Sequence, residues 1–253
     1  MSDPNPITYP GSRDYQHRWD DNQPMHALDN VIWQALTTRQ AHFAESFDQA
    51  RRFFREVTSL TAFAEPSPEG YASVASLVGA GGTAALFLDS PYEPRPGWDL
   101  IGGAPLRQMV CENGGAPQDR SSLAEIVRLG PQDSPEMLEL TALTKPGPFG
   151  RRTHELGTYL GIRREGKLVA MAGERLKVPG YTEVSAVCTH PEHTGTGYAR
   201  ILMTEIMQGI RERGETPFLH VRLDHVRAVE IYERLGFRTR GIWHYAVLRK
   251  MSE

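Results

Sequence analysis

The sequence predicts an α/β fold, a central sheet flanked by helices, and three observations in its C-terminal half support this prediction. Two strand-like segments, 160–164 and 167–176, are separated only by Glu165 and Gly166, which is typical of a β-hairpin. Residues 198–213 carry apolar side chains at helical spacing. Short apolar segments around that helix complete the pattern, and they predict strands at 182–188, 218–223 and 242–248.

Length and composition narrow the class of protein. The 253 residues can form one large domain or two small ones, and 40% hydrophobic and 23% charged residues are ordinary for a globular chain. A formal net charge of −3 without a long basic run gives no reason to expect a nucleic-acid partner. No apolar run approaches the roughly 20 residues of a membrane span. With two cysteines and no signal pattern, we expect a cytoplasmic protein without disulfides or a membrane partner.

Composition changes along the chain predict three parts. Residues 1–24 are polar and rich in Pro and Asp, so we expect a flexible arm. The Gly-rich segment 112–119 predicts a linker. It separates a smaller N-terminal α/β domain, 25–115, from a C-terminal domain, 120–253. Four further elements are predicted in these domains, a helix at 71–78, strands at 83–88 and 123–129, and a helix at 137–143.

The segment Val187 to Ala199 carries the clearest chemical signal, because a strand runs into a loop with Gly195 and Gly197 that opens a helix. Converging backbone N–H groups and the helix N-terminus favour an anion, and glycine lets a phosphate approach closely. From spacing alone, a plain strand–helix turn explains the pattern equally well. The third glycine of a dinucleotide fingerprint and the Gly-Lys-Ser/Thr of a nucleoside-triphosphate loop are both missing.

The same segment resembles the acyl-CoA pyrophosphate loop of the GNAT acyltransferase superfamily, whose usual form is Arg/Gln-x-x-Gly-x-Gly/Ala. Thr194 stands at the Arg/Gln position, Gly197 at the first glycine and Ala199 at the last position. Residues 225–237 resemble the superfamily's Asn-x-x-Ala-x-x-x-Tyr-x-x-x-Gly-Phe helix, with His225 in place of the asparagine. Thr194 and His225 are therefore departures at positions that face the ligand in relatives.

The resemblance covers about residues 122–250 and implies a GNAT fold, in which a mixed central sheet has one splayed strand. It implies acetyl-CoA or another acyl-CoA as co-substrate, and a divergent N-terminal half that is a decayed copy of the same fold in some relatives. The residues implied to bind the co-substrate are Ala186, Val187, Cys188, His193, Thr194, Gly195, Thr196, Gly197, Tyr198, Ala199, His225 and Tyr232.

Two catalytic residues are implied by the same resemblance. Tyr232 would lie beside the thioester sulfur and act as general acid. The alternative is a tyrosine whose ring packs in the core with its hydroxyl at the rim. Glu183 matches a position where some relatives carry a base, although it could be an ordinary strand-end glutamate. The backbone N–H of Val187 would stabilise the oxyanion. Cys188 is expected to be a small strand residue and not a nucleophile, so transfer would be direct.

Two loops give weaker indications of function. His190 and His193 have ligand-like spacing, but no Cys or carboxylate set accompanies them, so no metal is expected. The loop from Lys145 to Gly150 corresponds to the acceptor side in the superfamily. Phe149 within it could line the acceptor pocket or fill the core.

The sequence therefore predicts an N-acetyltransferase that moves an acetyl or short acyl group from CoA to a primary amine of a small molecule or peptide. One alternative is a catalytically weak, CoA-binding regulatory protein, which the departures at Thr194 and His225 keep open. A second is an interaction module that presents its N-terminal half to a partner. The sequence also leaves a homodimer open.

Overall fold

A computed structural model describes residues 26–112 and 125–252 of the chain. Its strands, in chain order, are β1 (Ala44–Phe47), β2 (Ala50–Phe53), β3 (Thr61–Phe63), β4 (Thr83–Leu88), β5 (Trp98–Val110), β6 (Ile126–Leu129), β7 (Tyr159–Arg164), β8 (Lys167–Val178), β9 (Tyr181–Thr189), β10 (Thr216–Arg222) and β11 (Arg238–Lys250). Its α-helices are α1 (Val31–Thr37), α2 (Pro68–Val78), α3 (Ser134–Thr144), α4 (Tyr198–Glu212) and α5 (Val226–Arg234).

Eight strands form one mixed sheet in the order β4-β11-β5-β10-β9-β8-β7-β6. Neighbours are antiparallel except β9 and β10, which run parallel. The mixed sheet with flanking helices confirms the predicted fold class. The predicted arm at 1–24 and residues 113–119 of the predicted linker lie outside the described residues. Within the two described ranges, no helix is both long and apolar enough to cross a bilayer.

The predicted elements of the C-terminal half are confirmed, because their local signals agree with their packing. The β7–β8 hairpin turns at Glu165 and Gly166, whose φ angles of 50° and 79° are left-handed. Helix α4 buries one stripe of side chains spaced at three and four residues against the sheet, as its periodicity requires. The buried members of that stripe are Leu202, Met203, Ile206, Met207 and Ile210.

The N-terminal half contributes to the same sheet as the C-terminal half. Strands β1, β2 and β3 form a small antiparallel sheet of their own, but β4 and β5 join the large one. Strand β5 lies between β10 and β11 and is hydrogen-bonded to both. The large sheet therefore crosses the boundary predicted near residue 115. The sequence missed α1 and β1–β3, because these elements are too short for a clear periodicity.

We predict that residues 120–253 do not fold as a separate fragment. Removing β5 leaves facing edges of β10 and β11 without hydrogen-bond partners, and unpaired edges promote aggregation. We expect the fragment to aggregate or to lack a cooperative unfolding transition in circular dichroism, with the full chain in the same buffer as the control. A monomeric fragment that unfolds at the same denaturant concentration as the full chain would contradict this expectation.

Candidate active site

The site is built around the place where β9 and β10 separate. These parallel strands are paired only at three positions, ending with Glu183 opposite Phe218. Beyond that point β9 stays with β8 as far as Thr189, while β10 stays with β5 as far as Arg222. Two parallel strands that part in this way leave a wedge-shaped gap in the sheet. The splayed strand implied by the resemblance is present.

A β-bulge lies on β9 inside this gap. The register jumps from Gly173 opposite Ser185 to Met171 opposite Cys188, so two residues of β9 face the single residue Ala172. The first of the two, Ala186, has a φ of 52°, which is unusual for a residue with a Cβ. Bulges of this kind redirect the backbone next to active sites. Here the bulge includes Val187, the predicted oxyanion donor.

An outer cleft of about 730 Å³ lies between the N-terminus of α4 and α5. Its lining includes eight of the predicted ligand residues, His193, Thr194, Gly195, Thr196, Gly197, Tyr198, Ala199 and His225. Gly195 and Gly197 adopt φ angles of 82° and 83°, which explains both glycines. The Thr194 and Thr196 hydroxyls donate to the carbonyls of Pro191 and His193. Because those hydroxyl protons are used within the loop, backbone N–H groups supply the donors for an anion.

Three arginines in the outer cleft were missed by the sequence analysis. Arg200 lies in the first turn of α4, and Arg227 and Arg234 lie on α5. Arg227 and Arg234 are seven residues apart, which places them on one helix face two turns apart. That spacing in the sequence could have identified Arg227 and Arg234 as candidates. Positive side chains beside a helix N-terminus suit a ligand with several phosphates.

An inner cavity of about 420 Å³ adjoins the outer cleft, and both share Thr189, His225 and Ala228. The inner cavity is lined by Val187 and Cys188 from β9 and by Tyr232 from α5. The opposite wall is formed by strands of the N-terminal half and by β11. Its lining residues there are Phe87, Ala104, Leu106 and Tyr245.

Two side chains of the inner cavity hold their protons firmly at neutral pH. Burial raises the pKa of Tyr232 to about 12, and the neighbouring Cys188 adds to this effect. Burial also raises the pKa of Cys188 to about 11, although hydrogen bonds to the side chain of Thr144 and to the backbone of Met171 oppose it. Tyr232 is therefore available as a proton donor. Cys188 is a neutral thiol and a poor nucleophile.

Glu183 occupies the point where the strands part, and it is fully buried. Arg175 donates to both of its oxygens at 2.8 Å, and His220 Nδ1 lies 2.7 Å from Oε1. Burial alone would raise the pKa of Glu183. The charge of Arg175 and the hydrogen bonds from Arg175 and His220 outweigh burial and lower this pKa to about 2. Because Glu183 lines neither cavity and stays ionised, its carboxylate is a poor proton acceptor at neutral pH.

The hydrogen bonds around Gln108 determine the state of His220. The side-chain nitrogen of Gln108 donates to the Leu28 carbonyl at 3.0 Å, and its oxygen accepts from Arg240 at 3.0 Å. The Gln108 amide group is thus oriented with its nitrogen 3.2 Å from His220 Nε2. Nε2 must then accept, so Nδ1 carries the hydrogen and donates it to Glu183. Burial lowers the pKa of His220, in agreement with a neutral ring.

Phe149 has a structural role, and the loop histidines are not part of a metal cluster within the described part of the chain. Phe149 is partly buried and packs edge-on against the core residue Tyr159, with ring centroids 5.8 Å apart. The residues of its loop that do line the inner cavity are Lys145, Pro146, Gly147 and Pro148. Among residues 26–112 and 125–252, no three His, Cys, Asp or Glu side chains are grouped to hold a metal ion.

The sequence and the fold resemble those of known proteins. Residues 159–247 match a family model described as FR47-like protein. Among curated proteins, N-alpha-acetyltransferase RimI of Mycobacterium tuberculosis (strain ATCC 25618 / H37Rv) is 34% identical over 87 residues. That match covers 33% of this chain and 54% of RimI, so the chain spans about half the length of the curated relative.

Solved structures are similar over a larger part of the chain. A protein from the GNAT family of Novosphingobium aromaticivorans DSM 12444 is 36% identical with a TM-score of 0.82, covering 90% of this chain and 100% of that one. A GCN5-related N-acetyltransferase from Kribbella flavida has a TM-score of 0.58 at 16% identity, covering 88% and 94% of the two chains. The second likeness concerns the fold alone.

We predict that Glu183→Gln lowers the free energy of unfolding by about 3–5 kcal/mol near pH 7, because it leaves Arg175 buried without a counter-ion. The lowered pKa means that this contribution is present above the ordinary value of 4.5 and is lost as the pH falls towards about 2. The difference in the free energy of unfolding between variant and wild type should therefore become smaller as the pH falls over that range. Urea unfolding at several pH values measures it.

The matched control is Glu155→Gln, which removes a carboxylate from an exposed pair with Arg152. Exposed pairs contribute about 0–1 kcal/mol, so this control should differ little from wild type. Equal unfolding free energies for Glu183→Gln and Glu155→Gln at pH 7 would show that the buried pair does not stabilise the fold.

Proposed function

Because this chain belongs to the GNAT family of N-acetyltransferases, we propose that it transfers an acetyl or short acyl group from a CoA thioester to a primary amine. The observation that carries the proposal is the pair of joined cavities at the separation of β9 and β10. The outer cleft offers backbone donors and arginines for phosphates, and the inner cavity holds Tyr232. The two meet at Thr189, His225 and Ala228, which leaves a path for an extended arm.

Each part of the co-substrate would have a matching surface. The phosphates would bind the loop from Thr194 to Gly197 and the N-terminus of α4, because the first N–H groups of a helix have no partner within it. The pantetheine amides would pair with the free side of β9, as an added strand does. Val187 and Cys188, which line the inner cavity, would then flank the thioester, whereas Ala186 lines neither cavity. The Val187 N–H would stabilise the negative charge on the thioester oxygen.

The transfer would proceed in one displacement. The amine nitrogen attacks the thioester carbonyl carbon, a C–N bond forms, and the C–S bond then breaks. The Tyr232 hydroxyl gives its proton to the departing sulfur, because its raised pKa keeps it protonated until then. The acceptor would react as the neutral amine, after its ammonium proton has passed to water. After the attack the nitrogen releases a second proton to the Tyr232 oxygen, so the tyrosine is regenerated.

We assign Glu183 a positioning role, in place of the base that the resemblance implied. Both oxygens of Glu183 bind neighbouring side chains, and the carboxylate does not line the inner cavity. Its role would be to hold Arg175 and His220 at the cavity wall. This assignment leaves Tyr232 as the group that exchanges protons with the reactants.

The N-terminal half would build the acceptor side. Phe87 on β4 and Leu106 on β5 line the inner cavity opposite Val187. The amine acceptor would therefore be selected by residues from both halves. The alternative of a catalytically weak CoA-binding protein differs from the transferase in one respect, since it requires Tyr232 to be dispensable.

We predict that Tyr232→Phe lowers the turnover of acetyl-CoA with a panel of primary amines by about a hundredfold, since general acids contribute at least this much. CoA binding, measured by thermal shift, should be nearly unchanged. Release of the CoA thiol is the assay. The control is Tyr181→Phe, because the Tyr181 hydroxyl contacts His26 and lines neither cavity. Wild-type turnover by Tyr232→Phe would exclude Tyr232 as the acid.

A further inference from the structure

The inner cavity has a charge pattern that selects among amine acceptors. Its charged lining residues are Lys145, Arg175 and Arg222, and no Asp or Glu is among the described residues that line it. Arg222 is paired with Asp224 at the exposed rim, at 2.7 Å. A site for a polyamine or a lysine-rich peptide would need carboxylates facing the ligand, because cations in a cavity require counter-ions.

One guanidinium nitrogen is available inside this cavity. Arg175 is 6% exposed, and its Nε and Nη2 donate to Glu183. Its Nη1 has no hydrogen-bond partner among the described residues, and it lies 3.9 Å from where a Cβ on Gly147 would stand. Gly147 belongs to the loop that lines the cavity. An unpaired N–H donor that faces a cavity favours an oxygen acceptor on the ligand.

The wall beside Arg175 is aromatic. The Phe87 ring lies 4.6 Å from His220 and 5.9 Å from Tyr245, measured between centroids. Rings in such contact present an apolar surface that suits a hydrophobic side chain. Resting on the proposed transferase function, we propose that the acceptor is an amino acid with an apolar or aromatic side chain, whose carboxylate binds Nη1 of Arg175.

Binding of a carboxylate to Nη1 leaves the Glu183–Arg175 ion pair intact. Glu183 fixes the guanidinium plane through two hydrogen bonds, so Nη1 stays in one orientation without a ligand. A preorganised donor of this kind binds a carboxylate oxygen with little loss of side-chain entropy. Lysine could not serve both partners, because its single nitrogen would have to leave Glu183 to reach the ligand.

Amino acids are compared with their amides, which lack the carboxylate and therefore also carry a less basic amine. Phenylalanine, leucine and methionine, each with its amide, and spermidine are titrated calorimetrically into the full chain with CoA present. We expect each acid to bind at least about tenfold more tightly than its amide, which is the range for one hydrogen bond between charged groups. Spermidine should bind most weakly. Equal or tighter binding of the amides, or no binding of any acid, would overturn the proposal.

The variant Arg175→Lys should bring the acid-to-amide ratio of affinities close to one while CoA binding is retained, which also verifies folding. Arg213→Lys is the control, because Arg213 likewise binds a carboxylate, Glu174 at 2.7 Å, but lines neither cavity. An unchanged ratio in Arg175→Lys would show that another group recognises the carboxylate. If Arg175→Lys does not fold, the wild-type ratios decide alone.

Thiol release from acetyl-CoA with the same panel separates the two proposals. Amides contain the amine that loses its proton more readily, so the chemistry alone would favour amides as acceptors. Faster transfer to the acids therefore requires recognition of the carboxylate. Preferential binding of acids without thiol release from any amine would contradict the transferase function and leave the binding inference standing. Preferential transfer to amides or spermidine would support the transferase function and overturn the proposal that the acceptor is an amino acid.

Discussion

A buried ion pair between Glu183 and Arg175 holds the sheet together at the point where it divides. Desolvating two charges costs several kcal/mol per ion, so the pair is tolerated only because both Glu183 oxygens are hydrogen-bonded. Arg175 from β8 and His220 from β10 both bind Glu183 on β9. Three strands are thus connected immediately before β9 and β10 part. Beyond this connection β9 remains paired with β8, and β10 remains paired with β5.

Strand β5 provides the second constraint on the gap. Once β10 leaves β9, it needs another partner for its backbone groups, and β5 supplies one from the N-terminal half. Gln108 on β5 also orients His220, which couples the strand pairing to the polar cluster. The N-terminal half is therefore part of the architecture around the gap. The same strand contributes Leu106 to the wall of the inner cavity.

The sequence predicted the local elements better than the long-range partners. The β7–β8 hairpin and helix α4 were found because turn residues and helical periodicity are local signals. The insertion of β5 between β10 and β11 has no local signal, because it depends on pairing across more than 100 residues. The position of Glu183 was anticipated, but its burial and its ion pair with Arg175 depend on packing. Tyr232 was identified through a resemblance, because an isolated tyrosine on a helix carries no chemical signature.

The proposed chemistry depends most directly on an acyl-CoA occupying the gap between β9 and β10. Hydrogen–deuterium exchange of the full chain, with and without acetyl-CoA, measures this occupancy and does not require the amine acceptor to be identified. We expect slower exchange on ligand addition in peptides covering residues 184–199 and 226–235, and no change in β1–β3. Unchanged exchange in both segments at saturating acetyl-CoA, or protection confined to other regions, would contradict the proposed site.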